Sequence, residues 1–574
     1  MSLFTAVGKA LTFLYLPNVD ARFEPREPQK SRVMASAGKP LWNTAEFKVY
    51  GFLFAIVVPW MIKTAIDVSS SSNRNYPVYE KLLSNGWIPG RKVDNSDAQY
   101  RFFRDNFLLL MLLLLAHTGI RRAVEYVTKC SRPMFDFVFG FIFIFAVHGV
   151  NSIRVIAHVM IFFTIARVLK NYNKAAVLLL WSYGIFSLFF NDKYRNYYLS
   201  YFWKPLTVFD PGFMGIVKRW DVFYNFTLLR ALSFNLDYLK SHNDKKSRLS
   251  KKTDEEGSGS NPSSPKFNPA MISEERERIN ANLDISDYNL FNYFSYLFYA
   301  PLFIAGPILT FNDFFIQSRA PLPSINWRRT ANYALIFFIC VLNMELILHF
   351  IYVVAISKAK AWKGDTPFQI SMIGLFNLNI IWLKLLIPWR FFRLWALVDG
   401  IDPPENMIRC MDNNYSALAF WKGWHRSYNK FVVKYIYIPL GGGSNRVLAS
   451  LAVFTFVAVW HDIQLRLLLW GWCVVLFLLP ELFISKYFKQ FSGEWWYRHI
   501  CAAGGALNIW LMMIANLYGF CLDHDGMKLL FTEMFSTFDG LVFFVLACAS
   551  LFIAVQVMFE YRQEEKRHGL DVKC

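Results

Sequence analysis

Residues 447–479 read VLASLAVFTFVAVWHDIQLRLLLWGWCVVLFLL, two apolar runs separated by the more polar stretch HDIQLR. Each run is typical of a membrane helix, because it carries almost no charge and is rich in aliphatic and aromatic residues. The interruption places the ionisable imidazole of His461 in or beside a bilayer, where polar side chains usually have a function. A histidine at a helix end can also serve only to hydrogen-bond a neighbour, and these residues alone leave both interpretations open.

Similar apolar stretches recur along the chain of 574 residues, which is 55% hydrophobic and 18% aromatic. The mean hydropathy of +0.27 excludes an ordinary water-soluble protein of this size. Since a bilayer core needs roughly 20 apolar residues per helix, we expect an all-α, polytopic integral membrane protein with about 10–12 transmembrane or re-entrant helices. The stretches lie at residues 47–66, 107–123, 134–147, 153–169, 175–190, 290–310, 331–356, 368–382, 447–460, 467–484, 500–521 and 541–559.

The net charge indicates which partners to expect, and the cysteine spacing bears on metal sites and disulfides. The formal charge is +19, from 61 Lys and Arg against 42 Asp and Glu. In a membrane protein this excess points to anionic lipid headgroups, and since no nucleic-acid-binding motif accompanies it, we expect no nucleic-acid partner. The eight cysteines are scattered without paired spacing, which indicates neither a metal site nor a disulfide framework.

Composition divides the chain into a membrane core and polar segments. Residues 1–45 are polar and contain several prolines, so they are predicted to form a disordered leader. Residues 46–560 are the membrane-embedded core, interrupted by a flexible hydrophilic loop at 242–282 that cannot bury enough apolar surface to fold. A short charged helix is expected directly after Ser273 within this loop. Residues 561–574 are a charged tail.

A second motif, FWKGWHRSYNK at 420–430, combines cations, aromatic rings and a histidine. If it is one helix, cations repeat every four residues at Lys422, Arg426, Lys430 and Lys434. The adjacent row holds Trp421, His425 and Asn429. This arrangement suits a site where the basic row holds a phosphate-bearing donor, but it equally suits an interfacial helix whose cations reach lipid headgroups. Spacing alone does not decide between them.

His425 in this motif, followed in an apolar run by His461, resembles the two-part signature of the membrane-bound O-acyltransferase (MBOAT) family. The segment YAPLFIAGPI at 299–308 resembles the family's upstream glycine-proline-isoleucine segment. Within the family, the chain is similar to the fungal glycerol uptake protein branch, which is related to Hedgehog acyltransferase. The matching segments are 90–97, 219–227, 370–397 and 559–569. The resemblance implies the MBOAT fold, in which many transmembrane helices enclose a catalytic tunnel.

The resemblance also implies an activity. It is the transfer of a very long fatty acyl chain from acyl-CoA to a hydroxyl of a lyso-lipid, namely the lyso-phosphatidylinositol moiety of a glycosylphosphatidylinositol (GPI) anchor. Acyl-CoA is then a co-substrate, and no cofactor is bound permanently. The implied location is the endoplasmic reticulum membrane, with the plasma membrane as a second possibility, and the partners are acyl-CoA, the lyso-lipid or GPI-anchor acceptor and the bilayer.

By position, the resemblance makes His461 and His425 the catalytic residues. His461 takes the near-invariant histidine of the family, whereas the position of His425 is asparagine or aspartate in some members. A neutral, shielded imidazole suits partial removal of a proton from an alcohol, so His461 is expected to be the general base and His425 to orient a substrate. The residues expected to bind substrate are Trp421, Trp424, Arg426, Asn429, Lys430 and Trp460, and no metal site is expected.

Two other functions remain open. Glu345 and His349 lie four residues apart on one helix face, which predicts a buried structural pair. In a polytopic transporter for glycerol or protons, the same two side chains would instead form a relay with His461. A third alternative is acylation of a protein, as in the Hedgehog acyltransferases.

Overall fold

The protein is almost entirely helical in the part that the computed structural model describes, residues 16–210, 212–217, 219–254, 274–461 and 463–572. Within these ranges, the sheet structure is limited to one antiparallel pair, β1 (Ser84–Asn85) and β2 (Lys92–Val93). The α-helices are α1 (Gln29–Ala35), α2 (Ala45–Val68), α3 (Tyr76–Tyr79), α4 (Ala98–Asp105), α5 (Phe107–Thr128), α6 (Arg132–His148), α7 (Asn151–Val168), α8 (Asn173–Tyr194), α9 (Trp220–Asp254), α10 (Glu275–Asn280), α11 (Leu290–Leu297), α12 (Ala300–Phe303), α13 (Phe311–Arg319), α14 (Trp327–Phe350), α15 (Val353–Ala359), α16 (Pro367–Val398), α17 (Ala417–Gly423), α18 (Arg426–Val432), α19 (Arg446–His461), α20 (Leu465–Phe488), α21 (Tyr497–Asn516), α22 (Asp523–Ser536) and α23 (Phe538–Arg567). Turns of π-helix follow α18 at Val433–Tyr437 and α21 at Leu517–Cys521. The predicted all-α fold class is confirmed.

Among the described residues, nine helices are long and apolar enough to cross a bilayer, which confirms a polytopic membrane protein. Seven of them are α2, α5, α7, α8, α14, α16 and α23. The other two, Leu467–Phe491 and Tyr497–Cys521, cover most of α20 and α21. Helix α19 is apolar as well but has only 16 residues. The nine helices and α19 together agree with the expectation of about 10–12 spanning or re-entrant segments.

Helix α16 lies at the centre of the bundle. In its most apolar window 56% of the residues are buried within the protein, compared with 11% in α2. A capping box fixes its start, because the Thr366 hydroxyl accepts from the backbone N–H of Gln369 and the Gln369 side chain accepts from that of Thr366. It packs against α2, α14, α15 and α22. Helices that expose most of their apolar surface, such as α2, are the ones suited to face lipid.

Residues 16–44 are folded against the membrane core, which corrects the prediction of a disordered leader for this part. Leu16 and Phe23 share a small apolar cluster with Ile408 and Leu570. Helix α1 packs against α23 at the other end of the chain. The few apolar residues of the segment therefore find partners that are remote in sequence, which composition alone does not reveal. Residues 1–15 of the predicted leader lie outside the described residues.

The predicted hydrophilic loop at 242–282 is helical at both of its described ends. Helix α9 continues to residue 254, and α10 is the short charged helix that was expected after Ser273. The side chain of Arg278 in α10 is buried and pairs with Asp313 at 2.6 Å. A buried ion pair anchors this end of the loop, so it is not free hydrophilic chain. Residues 255–273, which include the glycine- and serine-rich stretch, lie outside the described residues.

The apolar stretch 290–310 is not one continuous span. It comprises α11, α12 and an irregular segment through Gly306, and nearly all of it is buried. Pro301 is the second residue of α12 and has no N–H to continue a helix from α11. The hydroxyl of Tyr296 donates to the carbonyl of Leu309 at 2.5 Å, which satisfies part of the irregular backbone. Such backbone is tolerated at membrane depth where protein surrounds it.

The charged tail that was predicted from residue 561 continues α23 and packs against the protein. Glu565 in this helix is buried and pairs with Arg409 through both carboxylate oxygens, at 2.5 and 2.8 Å. Beyond the helix, the backbone N–H of Asp571 donates to the carbonyl of Phe23 at 2.9 Å. The two ends of the described chain are therefore joined directly.

A buried ionic cluster, named here the Asp402 cluster, ties the N-terminal segment to the core. The Asp402 carboxylate lies 2.8 Å from Arg393, 2.9 Å from Arg329 and 3.4 Å from Arg22. Burial raises the pKa of Asp402, but the three arginines outweigh burial and hold that pKa well below its ordinary value. The carboxylate is therefore ionised, and its charge is balanced inside the protein. The members of the cluster are Asp20, Arg22, Arg329, Arg393, Asp402 and Glu405.

Candidate active site

His425 immediately precedes α18 and has a backbone conformation that few residues other than glycine adopt. Its φ of 45° and ψ of 51° are left-handed, so α17 ends before it and α18 starts after it. The motif is thus two helices and a turn, which corrects the prediction of one helix. Asn406 holds the turn, since its carbonyl accepts from the N–H of Arg426 at 2.9 Å and its side-chain oxygen from that of Ser427 at 3.1 Å. Imposed strain of this kind clusters at functional sites.

The His425 imidazole is buried in an aromatic stack. Its ring lies 4.3 Å from that of Trp389 in α16 and 5.2 Å from that of Tyr428, and both pairs are within 24° of parallel. Its Nε2 atom is buried and hydrogen-bonds to no protein atom in the described part of the chain. Burial, and then the neighbouring His461, lower the pKa of His425 well below its ordinary value. The ring is therefore neutral at physiological pH, with one nitrogen available to a substrate.

His461 is the last residue of α19, and a pair of hydrogen bonds holds the residue before it. The indole N–H of Trp460 donates to the carbonyl of Asn225 in α9, and the Asn225 amide donates to the carbonyl of Trp460, both at 2.9 Å. Trp460 is buried, whereas His461 is exposed at the end of the helix. The imidazole is accessible at this helix end, and the expectation that water is excluded around it stays a prediction. Asn225 fixes the helix end, and the imidazole projects beyond it.

The two histidines meet at one tyrosine. The ring of Tyr428 lies 5.2 Å from that of His425, 4.7 Å from that of Trp460 and 6.4 Å from that of His461. Sequence reasoning paired the histidines, and the structure places both rings next to that of Tyr428. Two imidazoles beside one buried aromatic ring can bind and deprotonate a hydroxyl that reaches both of them.

The other aromatic residues predicted to bind substrate serve in packing. Trp421 contacts the rings of Phe454 and Trp470, at 5.8 and 5.4 Å, and Trp424 stacks on Phe420 at 5.2 Å. The amide of Asn429 donates to the carbonyl of Trp421 at 3.4 Å. Each of the side chains of Trp421, Trp424 and Asn429 therefore has a partner within the bundle. Among the predicted binding residues, only Trp460 contacts the rings of both histidines.

Three of the four cations in the predicted row are neutralised by carboxylates from distant segments. Arg426 pairs with Asp20 at 3.1 Å, Lys430 with Glu275 at 2.5 Å and Lys434 with Asp237 at 2.8 Å. These partners come from the N-terminal segment, α10 and α9. These ion pairs therefore fasten α18 to its surroundings. Arg426 and Lys430 were expected to hold a phosphate-bearing donor, but both are already paired with carboxylates and neither is a free cation.

Glu345 and His349 form part of a structural contact, as the sequence predicted. The Glu345 carboxylate receives two hydrogen bonds from Arg104, at 2.8 and 2.6 Å, and one from the Trp87 indole at 2.9 Å. The buried His349 ring contacts the carbonyl of Glu345 through Nδ1 at 2.7 Å. Both side chains are therefore used in joining α14 to the segment around β1 and to α4.

Sequence reasoning missed Trp389, Tyr428 and Asn225 at this site. Tyr428 could have been found, because it lies three residues after His425, on the same face of a helix. Trp389 and Asn225 are on helices far away in sequence, and their side chains carry no motif of their own. Only the packing of α16 and α9 brings them to the histidines.

Comparison with known proteins agrees with the signature at this site. Residues 175–523 match the model of the membrane-bound O-acyltransferase family. The chain is 56% identical to "Membrane-bound O-acyltransferase GUP1" of Saccharomyces cerevisiae over 575 residues, covering all of both chains. It is 52% identical to the Candida tropicalis protein of the same name over 584 residues, covering all of this chain and 97% of that one.

A more distant similarity covers less of the chain. "Protein-cysteine N-palmitoyltransferase HHAT" of Mus musculus is 27% identical over 194 residues, which is 31% of this chain and 37% of that one. Both His425 and His461 lie within the residues that the family model matches, and so do the nearby Tyr428 and Asn225. The protein is a multi-pass membrane acyltransferase and belongs to the membrane-bound O-acyltransferase family.

Proposed function

We propose that the protein moves a very long fatty acyl chain from acyl-CoA to a hydroxyl of a lyso-lipid, in the endoplasmic reticulum membrane. The proposed acceptor is the lyso-phosphatidylinositol moiety of GPI anchors. One observation supports a histidine-based transfer: the rings of His425 and His461 both lie close to the buried ring of Tyr428. The resemblance to the fungal glycerol uptake branch supports the choice of acceptor and of membrane.

In the proposed reaction His461 is the general base. It takes the proton of the acceptor hydroxyl while that oxygen bonds to the thioester carbonyl carbon, and the carbon–sulfur bond then breaks. The proton passes to the departing thiolate of coenzyme A, so the histidine returns to its neutral form. His425, fixed by its stack on Trp389, orients a substrate through its unpaired Nε2.

The exposure of His461 supports an acceptor that arrives from outside the bundle. The imidazole stands at the end of α19, where its surface is accessible. A lipid that diffuses within the membrane can bring its hydroxyl to such a position without passing through the protein core. A lyso-lipid fits this approach, since its remaining chain keeps it in the bilayer.

The proposal is tested by acyl transfer with purified protein. Very-long-chain acyl-CoA and lyso-phosphatidylinositol are expected to give the diacyl product, detected by mass spectrometry. Parallel samples contain a peptide acceptor, because the HHAT relative is named for transfer to protein cysteine, or measure glycerol flux into proteoliposomes. Flux without transfer would contradict the enzyme assignment, and a peptide that outcompetes the lipid would contradict the acceptor. In cells that lack the protein, GPI anchors are expected to lose their very long chains.

Asn225 provides a more local test of the site. The Asn225→Asp variant keeps the size of the side chain but cannot donate to the carbonyl of Trp460, so the end of α19 that carries His461 loses a restraint. We expect kcat to fall by about tenfold, the rate equivalent of one buried hydrogen bond left unmade. Steady-state kinetics of the purified variant measure this effect.

The matched control is Asn280→Asp, because the Asn280 amide also donates to a backbone carbonyl, that of Arg276, but on an exposed surface. Its kcat is expected to equal that of the wild type. Equal kcat values for the two variants would show that the Asn225 contact does not position His461.

A further inference from the structure

The hydroxyl of Tyr428 is buried and has no hydrogen-bond partner among the described protein atoms. The residue as a whole is only 4% exposed. Buried tyrosine hydroxyls usually find a partner, and leaving one without costs about 1–3 kcal/mol. Such an exception in a native protein calls for an explanation. No described protein atom uses the hydrogen-bonding capacity of Tyr428.

The position of the Tyr428 ring indicates which kind of group would hydrogen-bond to its hydroxyl. The Tyr428 ring lies 5.2 Å from that of His425 and 6.4 Å from that of His461, and it tilts by 24° and 40° from them. It is held from the side by the buried Trp460, at 4.7 Å. The proposed base and the residue proposed to orient a substrate are thus both neighbours of this phenol. A reacting group bound between the histidines lies beside Tyr428 as well.

Acyl transfer is helped by a hydrogen-bond donor beside the carbonyl oxygen of the thioester. When the acceptor oxygen bonds to the thioester carbon, the electron pair of the C=O bond moves onto the carbonyl oxygen. A positioned, desolvated donor stabilises this developing charge, and loss of one such donor typically costs about 10²–10³-fold in kcat. None of the roles given to His461 and His425 supplies it.

We propose that the Tyr428 hydroxyl donates a hydrogen bond to the carbonyl oxygen of the acyl thioester as negative charge develops there. This inference rests on the proposed acyl transfer at His461 and His425. The carbon–oxygen bond to the acceptor forms, the carbon–sulfur bond to coenzyme A breaks, and the acceptor proton passes through His461 to the thiolate. Tyr428 keeps its own proton throughout, so its contribution is electrostatic.

The surroundings of Tyr428 keep it in the donor form. Burial raises the pKa of Tyr428 well above its ordinary value, because a phenolate would be poorly solvated there. The stacked ring of His425 and the tilted ring of Trp460 also restrict its rotation. A neutral phenol with a fixed ring is preorganised for this task and needs no rearrangement during the reaction.

The test is Tyr428→Phe, which removes only the hydroxyl and keeps the ring in its stack. We expect kcat to fall by about 10²-fold, while KM for acyl-CoA stays within about twofold, since the lost contact is made mainly in the transition state. The unfolding temperature is expected to be unchanged or raised, because an unpaired buried polar group is removed.

The control is Tyr435→Phe, since Tyr435 is also a buried tyrosine near α18 but its hydroxyl is hydrogen-bonded to Ser233 and Asp237, both at 2.9 Å. This variant is expected to lose stability and keep its kcat. If Tyr428→Phe does not fold, a ring-fluorinated tyrosine at 428 decides, because it keeps the hydroxyl and makes it a stronger donor. A changed kcat supports the proposal, and an unchanged kcat overturns it.

The outcomes separate this inference from the proposed function. Wild-type kcat in Tyr428→Phe, or a raised KM at constant kcat, overturns the role of Tyr428 while the transfer reaction stands. Absence of any acyl transfer by the wild-type protein, whatever the variant does, overturns the proposed function itself. Measuring wild type and variant with the same acyl-CoA and lyso-lipid therefore assigns each failure to its cause.

Discussion

Replacement of His461 by alanine is expected to lower acyl transfer by about 10³-fold or to abolish it, because the reaction then lacks its general base. The protein is expected to stay folded and inserted. His461 is exposed at the end of α19, so the change leaves no cavity in the core, whereas the buried Trp460 beside it is untouched. Product formation with acyl-CoA and lyso-lipid, normalised to monodisperse protein in detergent, measures the effect.

A matched control for His461→Ala is His524→Ala, an exposed histidine near the start of α22. It is expected to keep full activity. His425→Ala is expected to lower transfer strongly and also to reduce stability, because His425 is buried and stacks on Trp389. Wild-type turnover by the His461 variant would refute the assignment of the base.

The Asp402→Ala substitution is expected to prevent stable folding. Three arginines surround this carboxylate, and its removal leaves their charges buried without their shared partner. Breaking a buried ion pair in this way costs about 3–5 kcal/mol. This is a large share of the roughly 5–15 kcal/mol by which proteins are stable. Size-exclusion chromatography and thermal unfolding in detergent measure the loss.

The comparison for Asp402 is Asp67→Ala in α2. Asp67 also pairs with a cation, Lys63 at 2.5 Å, but both side chains are more than half exposed, at 55% and 72%. Exposed pairs contribute about 0–1 kcal/mol, so this variant is expected to resemble the wild type. Equal unfolding temperatures for the two variants would mean that the Asp402 cluster does not hold the fold together.

Much of the architecture was predictable because apolar composition is a local property. Runs such as 447–460 and 467–484 need no knowledge of their partners to be recognised as apolar helices, and the structure shows them as α19 and α20. For 290–310 composition left open a spanning or a re-entrant segment, and the structure shows Pro301 dividing the run and the surrounding protein covering its backbone. Hydrophobicity shows that a segment avoids water but does not show what replaces the water.

The candidate site was predictable only in its motif residues. The motif named His425 and His461, but the row of cations beside them was misread because Asp20 and Glu275, which neutralise Arg426 and Lys430, are far away in sequence. The left-handed turn at His425 likewise depends on Asn406. Such features are set by tertiary contacts, which periodicity within one segment cannot reveal.

The hydrogen bond between Phe23 and Asp571 has a consequence for biosynthesis. During translation, residues 16–24 emerge early but cannot take their places beside Ile408, Arg426 and Leu570 until those positions have been made and inserted. Until then, Asp20 and Arg22 have to remain hydrated outside the bilayer. The fold around His425 therefore cannot be completed until nearly the whole polypeptide has been made. A chain that ends early because translation stops late lacks Leu570 and Asp571, so residues 16–24 are left without these partners.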